Sequence, residues 1–287
     1  MNDLMARAAL FSVIESGHKF WSQEIFKLGA LDVHEKLIKG EYGPIKHEKL
    51  ISALRATSGE KILESVSNHS AQLLTPQNID WPEQLNDLAN PPIALVVKGN
   101  VSALKIPSLA IVGTRNPTSY GARNAGDFAA GFVDREWAVV SGGAYGIDSY
   151  AHKGALIAEG VTIAVIACGV DVNYPAGNAR LFSEICESGA IVSEFLPGQR
   201  AMPNRFLTRN RLIAALSKAT LIVEAAFRSG SLRTARDAAE IFRPVMAIPG
   251  PINSPTSEGC HRLIGERSAE IVTSVADAVE FVGVHSG

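Results

Sequence analysis

The stretch VVSGGAYGID, residues 139–148, shows the pattern that decides the fold: an apolar run, a pair of glycines and the start of a helical segment. The same order recurs along the second part of the chain. Apolar runs lie at 93–97, 109–112, 138–140, 162–167, 191–192, 221–223, 245–248 and 271–272. Runs rich in Val, Ile and Ala, without polar alternation, are typical of strands that helices cover on both faces. Their alternation with helical stretches predicts an α/β fold with an extended, Rossmann-like, doubly wound and mostly parallel sheet.

The first 75 residues have a different pattern. Apolar residues recur there at helical spacing between Gly and Pro breaks, which predicts a small all-α domain over residues 1–75. The Rossmann-like domain is assigned to residues 76–285, with a proline-rich lead-in at 75–92. The chain ends soon after the helix expected at 274–281, so no C-terminal winged-helix domain is expected.

The composition excludes several classes of protein. Of 287 residues, 46% are apolar and 20% charged, which is typical of a globular protein, and the net charge is −2. Three cysteines without CxxC spacing predict neither a disulfide framework nor a zinc site. No signal peptide or membrane-spanning run is present, so we expect a cytoplasmic protein that does not bind membranes. Within residues 200–243, nine Lys and Arg face three Asp and Glu, a local net charge of +6 that favours an anionic ligand.

In a doubly wound sheet, ligands bind at the loops that follow the carboxyl ends of the strands. The loop after the run 109–112 carries an arginine that could contact a phosphate or could be an ordinary surface side chain. In the loop after 138–140, two glycines precede a helix expected near Ala144, a geometry that points backbone N–H groups at an anion. The candidate residues of these two loops are Gly113, Thr114, Arg115, Asn116, Ser141, Gly142 and Gly143. Asp148 and His152, four residues apart, could pair on one helix face, more often for structure than for catalysis.

Further candidates follow in later loops. Tyr174 offers a ring on which a base could stack, although edge packing is the alternative. Arg205 and Arg209 lie four apart on one helix face beside Arg211, and such a group repels itself unless an anion or carboxylates lie between its members. Small residues before an Ala-rich helix form a second helix N-terminus, and Glu224 could orient an arginine or act as a base. The candidates of these loops are Asn173, Tyr174, Asn178, Arg205, Arg209, Asn210, Arg211, Ser229, Gly230 and Ser231.

Two helix N-termini and two arginine groups are more anion sites than one nucleotide requires. Several such sites along one edge of a sheet favour a ligand with repeated phosphates, such as a nucleic-acid strand. No cofactor, metal site or catalytic group is expected.

Seven motifs in sequence resemble the DNA-processing protein A family, also called DprA or Smf. They are GTRNPTSYG (113–121), SGGAYGID (141–148), GVDVNYP (169–175), SEFLPG (193–198), RNRLIAALS (209–217), VEA (223–225) with SGSLRTA (229–235), and AIPG (247–250). The resemblance implies a protein without catalytic turnover that binds single-stranded DNA, commonly as a homodimer, and loads the RecA recombinase in natural transformation. It implies DNA contacts from the loop at Gly113–Arg115, and it suits a helical, SAM-like N-terminal domain.

The sequence departs from the family pattern at three places. Ala176 and Gly177 stand where the family often has a basic residue, Leu207 replaces a proline, and His261 replaces an asparagine. The alternative function is a nucleotide-binding or nucleotide-hydrolysing enzyme or sensor of the related superfamily that includes the cytokinin-activating (LOG-like) hydrolases. Those enzymes carry a PGGxGT loop, whereas Pro249-Gly250 is followed here by Pro251-Ile252.

Overall fold

A computed structural model describes residues 1–285. Nine strands form one sheet in the order β1-β2-β6-β5-β4-β3-β7-β8-β9. Strands β3 to β9 pair in parallel with one another, whereas β2 runs antiparallel to both β1 and β6. The strands are β1 (Ala71–Leu74), β2 (Leu95–Gly99), β3 (Ser108–Val112), β4 (Ala138–Ser141), β5 (Thr162–Ile166), β6 (Ala190–Ser193), β7 (Ala219–Ile222), β8 (Val245–Ala247) and β9 (Glu270–Ile271). This confirms the predicted α/β, mostly parallel, Rossmann-like fold.

Each of the eight apolar runs contributes a strand, and one strand was not predicted. β1 is short and half-exposed, so its pattern is weak, and it pairs with β2 along Ala71 to Leu74. The sheet therefore begins at Ala71, before the boundary at 75 that the sequence predicts for the helical segment.

Twelve α-helices are present among the described residues, five of them before the sheet. They are α1 (Asp3–Val13), α2 (Lys19–Leu28), α3 (Ala30–Lys39), α4 (Glu48–Ala56), α5 (Gly59–Asn68), α6 (Ser119–Val133), α7 (Ile147–Ile157), α8 (Ala179–Ser188), α9 (Pro203–Leu216), α10 (Ser231–Glu240), α11 (Glu258–Gly265) and α12 (Val275–His285). Helices cover both faces of the sheet, which is why its central strands are apolar throughout. The core of α6, α7 and α12 lies on one face, and that of α9, α10 and α11 on the other.

The five N-terminal helices share a core with one flank of the sheet. Ala8 and Leu10 of α1 belong to the same buried cluster as Val96, Ile166 and Phe182. Burial of this apolar surface fixes the helical region against the sheet. Polar links reinforce it: Ser16, just after α1, donates a hydrogen bond of 2.7 Å to Glu194 after β6.

Candidate nucleic-acid interface

A cavity of about 690 Å³ opens at the carboxyl edge of the sheet. It lies where the strand order reverses, between β3 and β7, which is the position at which doubly wound folds bind ligands. Its walls include Gly113, Thr114, Arg115, Asp148, Tyr174, Phe206, Arg209, Asn210, Arg228, Ser229, Gly230 and Ser231. The structure thus brings together members of four of the predicted loops.

The loop after β3 is held from two sides. The backbone N–H of Thr114 donates to the carbonyl of Glu224 at 2.6 Å, and the Thr114 carbonyl accepts from Ile147 N–H at 3.1 Å. Gly113 allows this close approach, because a Cβ there would lie 2.7 Å from the Glu224 carbonyl oxygen. Arg115 and Asn116 consequently project into solvent from a fixed backbone.

Three side chains form what we call the outer cluster: Arg115, Tyr174 and Phe206. The Arg115 guanidinium carbon lies 5.6 Å from the centroid of the Phe206 ring, and the rings of Tyr174 and Phe206 are 5.5 Å apart. Tyr174 is 47% exposed. Within residues 1–285, Arg115 has no carboxylate within ion-pair distance. The cluster therefore presents an exposed arginine without an ion-pair partner beside two aromatic rings, above the charges of Asp148 and Arg209.

Beneath the outer cluster lies a second group, here called the inner layer: Asp148, His152 and Arg209. Arg209 is 5% exposed, and its Nη1 donates to the Val165 carbonyl at 2.6 Å. Burial lowers the pKa of Arg209 to about 10 and raises the pKa of Asp148, while each charge favours the ionised form of the other. The phosphate contact predicted for Arg209 is therefore corrected, because its buried guanidinium is anchored by the Val165 carbonyl and lies close to the Asp148 carboxylate.

His152 does not pair with Asp148. Its Nδ1 lies 2.7 Å from the Thr162 hydroxyl, and the side chain is fully buried. Burial, with the nearby Arg209 charge, lowers the pKa of His152 to about 3, so the imidazole is neutral. The structure gives this histidine a packing role under the loop after β4.

The carboxylate of Asp148 already occupies the anion site predicted at the loop after β4. The helix begins at Ile147 rather than near Ala144, and the Ala144 N–H donates to the Asp148 carboxylate at 3.2 Å. Ser141 is fully buried and donates to the Ile111 carbonyl at 2.6 Å. The two glycines serve packing, because a Cβ on Gly142 would overlap the Arg209 guanidinium and the Asp148 carboxylate, and one on Gly143 would lie 2.6 Å from the Phe182 ring. These three residues are therefore corrected from ligand contacts to structural positions.

The remaining arginines of α9 also have internal partners. Arg211 donates to both carboxylate oxygens of Glu194, at 2.6 and 2.7 Å, and to the Asn90 carbonyl at 2.9 Å. Arg205 lies 4.4 Å over the Phe195 ring, and its Nε is 3.4 Å from Glu15. Carboxylates, not an external anion, relieve the repulsion among these arginines. The predicted phosphate contacts of Arg205 and Arg211 are corrected accordingly.

The two predicted asparagines near Tyr174 separate. Asn178 is buried, and its amide donates to the Gly143 carbonyl and the Ser149 hydroxyl, each at 2.9 Å. It fastens the loop after β4 and is corrected to a structural residue. Asn173 is exposed beside Tyr174.

The loop after β7 forms the opposite wall of the cavity. The hydroxyls of Ser229 and Ser231 are 2.8 Å apart, and the Asn210 amide donates to the Gly230 carbonyl at 3.3 Å. Helix α10 begins at Ser231, so its first N–H groups face the cavity side of this loop.

Arg228, in the loop after β7, is exposed and lines the cavity. It was not among the predicted contacts, although its place between the strand end and the Ser-Gly-Ser turn was a usable signal. Phe206 was also missed, because the spacing along α9 does not show that this one aromatic residue of the helix faces the cavity.

Glu224 neither orients an arginine nor faces the cavity as a free base. One carboxylate oxygen accepts from the Thr118 hydroxyl at 2.7 Å and the other from the Thr118 N–H at 2.9 Å. Thr256 donates to it at 3.2 Å. A carboxylate at this position caps the N-terminus of α6 and satisfies its positive end. The prediction that Glu224 orients an arginine was wrong.

Residues 1–285 contain neither a metal-binding cluster nor a membrane-spanning helix. No group of three or more His, Cys, Asp or Glu is arranged to hold a metal ion. No helix of this part of the chain is both long and apolar enough to cross a membrane.

These features define an extended Rossmann-like protein whose open cationic and aromatic surface lies at the carboxyl edge of the sheet. The profile of the DNA recombination-mediator protein A family matches residues 72–283, and the chain belongs to this family. The DNA processing protein DprA of Streptococcus pneumoniae is 42% identical over 199 residues, which cover 69% of this chain and 70% of that protein.

Two solved structures of the family share the fold. That of DprA from Streptococcus pneumoniae superposes with a TM-score of 0.75 at 36% identity, covering 80% of each chain. That of DNA processing protein A from Helicobacter pylori, which binds single-stranded DNA, gives a TM-score of 0.66 at 32% identity and covers 74% of this chain and 95% of the other.

Proposed function

We propose that this protein binds single-stranded DNA along the carboxyl edge of its sheet. The observation that carries the proposal is the outer cluster, in which an exposed arginine without a carboxylate partner lies against the aromatic ring of Phe206 beside Tyr174. Single-strand binders combine cationic contacts to the backbone with aromatic faces on which bases stack.

In the proposed complex, Arg115 and Arg228 contact phosphates from opposite walls of the cavity, and bases stack on Phe206 and Tyr174. Backbone N–H groups at Ser229–Ser231 and the exposed Asn116 and Asn173 add hydrogen bonds. Phosphate and stacking contacts carry little sequence information, so the binding is sequence-tolerant and weakens with salt. Fewer arginines are available than the sequence predicts, because those of α9 are paired internally.

Membership of the family supports the remaining parts of the proposal. The Helicobacter pylori relative binds single-stranded DNA. By resemblance we extend this to a binding protein without catalytic turnover, which acts as a homodimer and transfers its DNA to the RecA recombinase. A sedimentation measurement tests the dimer, and RecA filament formation on DNA pre-bound by this protein tests the transfer.

A second candidate function, binding or hydrolysis of a small nucleotide, is favoured by one observation. The cavity volume of about 690 Å³ lies within the range of small-ligand sites. Against hydrolysis, Asp148 and Glu224 are engaged by internal partners, so neither is a free base. Incubation with nucleoside monophosphates separates the candidates, because release of free base would establish the enzyme.

The deciding experiment measures binding of fluorescent single-stranded and duplex oligonucleotides at several salt concentrations. We expect preference for the single strand, and we expect Arg115→Ala to weaken its binding roughly tenfold. Loss of one phosphate contact should also reduce the slope of log affinity against log salt by about 0.7. Arg135→Ala is the matched control, since Arg135 is an exposed arginine after α6 at the opposite edge of the sheet. Equal binding by the Arg115 variant and the wild type would refute the proposal.

A further inference from the structure

Another arginine lies on an exposed aromatic ring at the same edge of the sheet. The guanidinium carbon of Arg262, in α11, is 5.0 Å from the ring centroid of Phe227, which follows β7. Phe227 is 50% exposed although it is a large apolar residue. This arrangement repeats the pairing of Arg115 with Phe206, yet neither residue belongs to the outer cluster or borders the central cavity.

The segments that carry this second pair are fixed to each other. The Ala225 N–H donates to the Thr256 carbonyl at 2.7 Å, and the Gly259 N–H donates to the Ala225 carbonyl at 2.8 Å. Gly259 permits the contact, because a Cβ there would lie 2.7 Å from that carbonyl oxygen. The backbones before Phe227 and Arg262 are therefore held together, so the exposed ring is placed by the fold.

The second pair also continues the proposed interface. In the sheet, β7 lies between β3 and β8, and adjacent strands are about 4.8 Å apart. The loop after β3 carries Arg115, the loop after β7 carries Phe227 and Arg228, and α11 follows the loop after β8. Arg228 lines the cavity, is exposed and is the chain neighbour of Phe227, so the loop after β7 joins the cavity wall to the second pair.

We propose that Phe227 and Arg262 form a second base-stacking site for the same DNA strand. This inference rests on the proposed function. A strand whose phosphates follow Arg115 and Arg228 is led toward α11, where Phe227 offers its exposed ring to a further base. Arg262 is compensated in part by Glu266, at 2.7 Å from its Nε, so its main contribution is to hold the ring, and the stacking surface is Phe227.

The distinguishing consequence is dependence on the length of the DNA. A short oligonucleotide fills the outer cluster and cavity alone, whereas a longer one also reaches Phe227. We therefore expect Phe227→Ala to weaken the binding of the longest oligothymidylates in a series from about 4 to about 16 nucleotides. The expected loss is at least about fivefold for these and less than about twofold for the shortest, since one stacked base contributes at least about that factor. Phe227→Trp should retain the wild-type affinity and Phe227→Leu should not, because only an aromatic face can stack.

The measurement is fluorescence anisotropy on the full chain, with Phe242→Ala as the matched control. Phe242 is 96% exposed and precedes β8, at the opposite edge of the sheet, so its removal should not change binding at any length. Unchanged binding by Phe227→Ala at every length, with weakened binding by Arg115→Ala, would overturn this inference and leave the proposed function standing. Equal weakening at all lengths would also overturn it, by placing Phe227 in the primary site. If Arg115→Ala and Phe206→Ala bind as the wild type does, the proposed function itself fails.

Discussion

The outer cluster and the inner layer occupy the same edge of the sheet and both contain an arginine, but their environments are opposite. Arg115 is exposed, lies on an aromatic ring and has no ion-pair partner in the described chain, whereas Arg209 is buried against Asp148 and a backbone carbonyl. A buried charge must be paired, because desolvation is costly, whereas an exposed charge is free to meet a ligand. Burial rather than residue type thus separates positions that build the edge from positions that bind at it.

This comparison predicts that variants of the inner layer lose stability. Asp148→Asn leaves the Arg209 guanidinium buried without its counter-charge, and we expect the free energy of unfolding to fall by about 3 to 5 kcal/mol. Urea unfolding measures the change. Asp127→Asn, an exposed carboxylate on α6, is the control and should stay within about 0.5 kcal/mol of the wild type. A similar small change for Asp148→Asn would show that the inner pair contributes little.

The next largest effect is expected for Arg211, which joins α9 to the segment that follows β6. Arg211→Ala removes two hydrogen bonds to Glu194, which is almost fully buried, and should cost about 2 to 3 kcal/mol of unfolding free energy. The folded fraction should bind single-stranded DNA with unchanged affinity. In a double-mutant cycle with Glu194→Ala, the losses should be less than additive, and additive losses would argue against the pair.

His152 should make stability depend on pH. Its pKa is about 3 when folded, against 6.5 for the free side chain, so the unfolded chain takes up a proton at a higher pH than the folded chain does. The contribution of the neutral His152 side chain to the free energy of unfolding is complete above pH 6.5 and is lost as the pH falls toward 3. Between pH 7 and pH 5, this linkage should lower the unfolding free energy by about 2 kcal/mol. Urea unfolding of His152→Gln at both pH values should show a smaller difference, and an equal difference would assign the pH dependence to other groups.

The smallest effect belongs to the outer cluster and should appear in binding alone. Tyr174→Ala removes an exposed stacking ring and should weaken single-strand binding by about 1 kcal/mol, roughly fivefold, with little change in stability. Tyr174→Phe keeps the ring and should bind as the wild type does. Anisotropy titrations check both, and equal weakening by the two variants would point to the hydroxyl rather than to stacking.

Much of this architecture was predictable from local patterns. Eight apolar runs became strands, because the central strands of a sheet covered on both faces must be apolar along their whole length. Thr118 caps α6, with its hydroxyl accepting a hydrogen bond from the Gly121 N–H, and threonine is among the residue types preferred at this position. β1 was missed since a short edge strand with one exposed side carries little pattern.

The errors at the site have one cause. The sequence predicts that Arg205, Arg209 and Arg211 form a phosphate-binding group, but spacing along α9 cannot show which carboxylates lie near each side chain. Those carboxylates are Glu15, Asp148 and Glu194, and they come from distant parts of the chain. The same holds for Glu224, whose partners Thr118 and Thr256 lie on other loops.

The departures from the family pattern are partly explained by contacts. His261 replaces an asparagine, and its Nε2 lies 2.9 Å from the Gly250 carbonyl oxygen, so the imidazole supports the sharp turn at Pro249–Pro251. Leu207 is exposed on α9 and borders the cavity. Nothing in the structure explains the substitution of the basic residue at Ala176.

By itself, the sequence determined the order of strands and helices, the glycine-rich loops between them and thus the edge at which a ligand can bind. Those features depend on apolar periodicity and backbone freedom, which are local properties of the chain. Only the tertiary structure decided which polar groups at that edge are available. Backbone carbonyls inside the protein accept hydrogen bonds from Ser141, Asn178 and Arg209. In contrast, solvent surrounds the exposed residues Arg115, Tyr174 and Arg228. The physical reason is that the availability of a polar group depends on its burial and its partners, and both arise from residues distant in sequence.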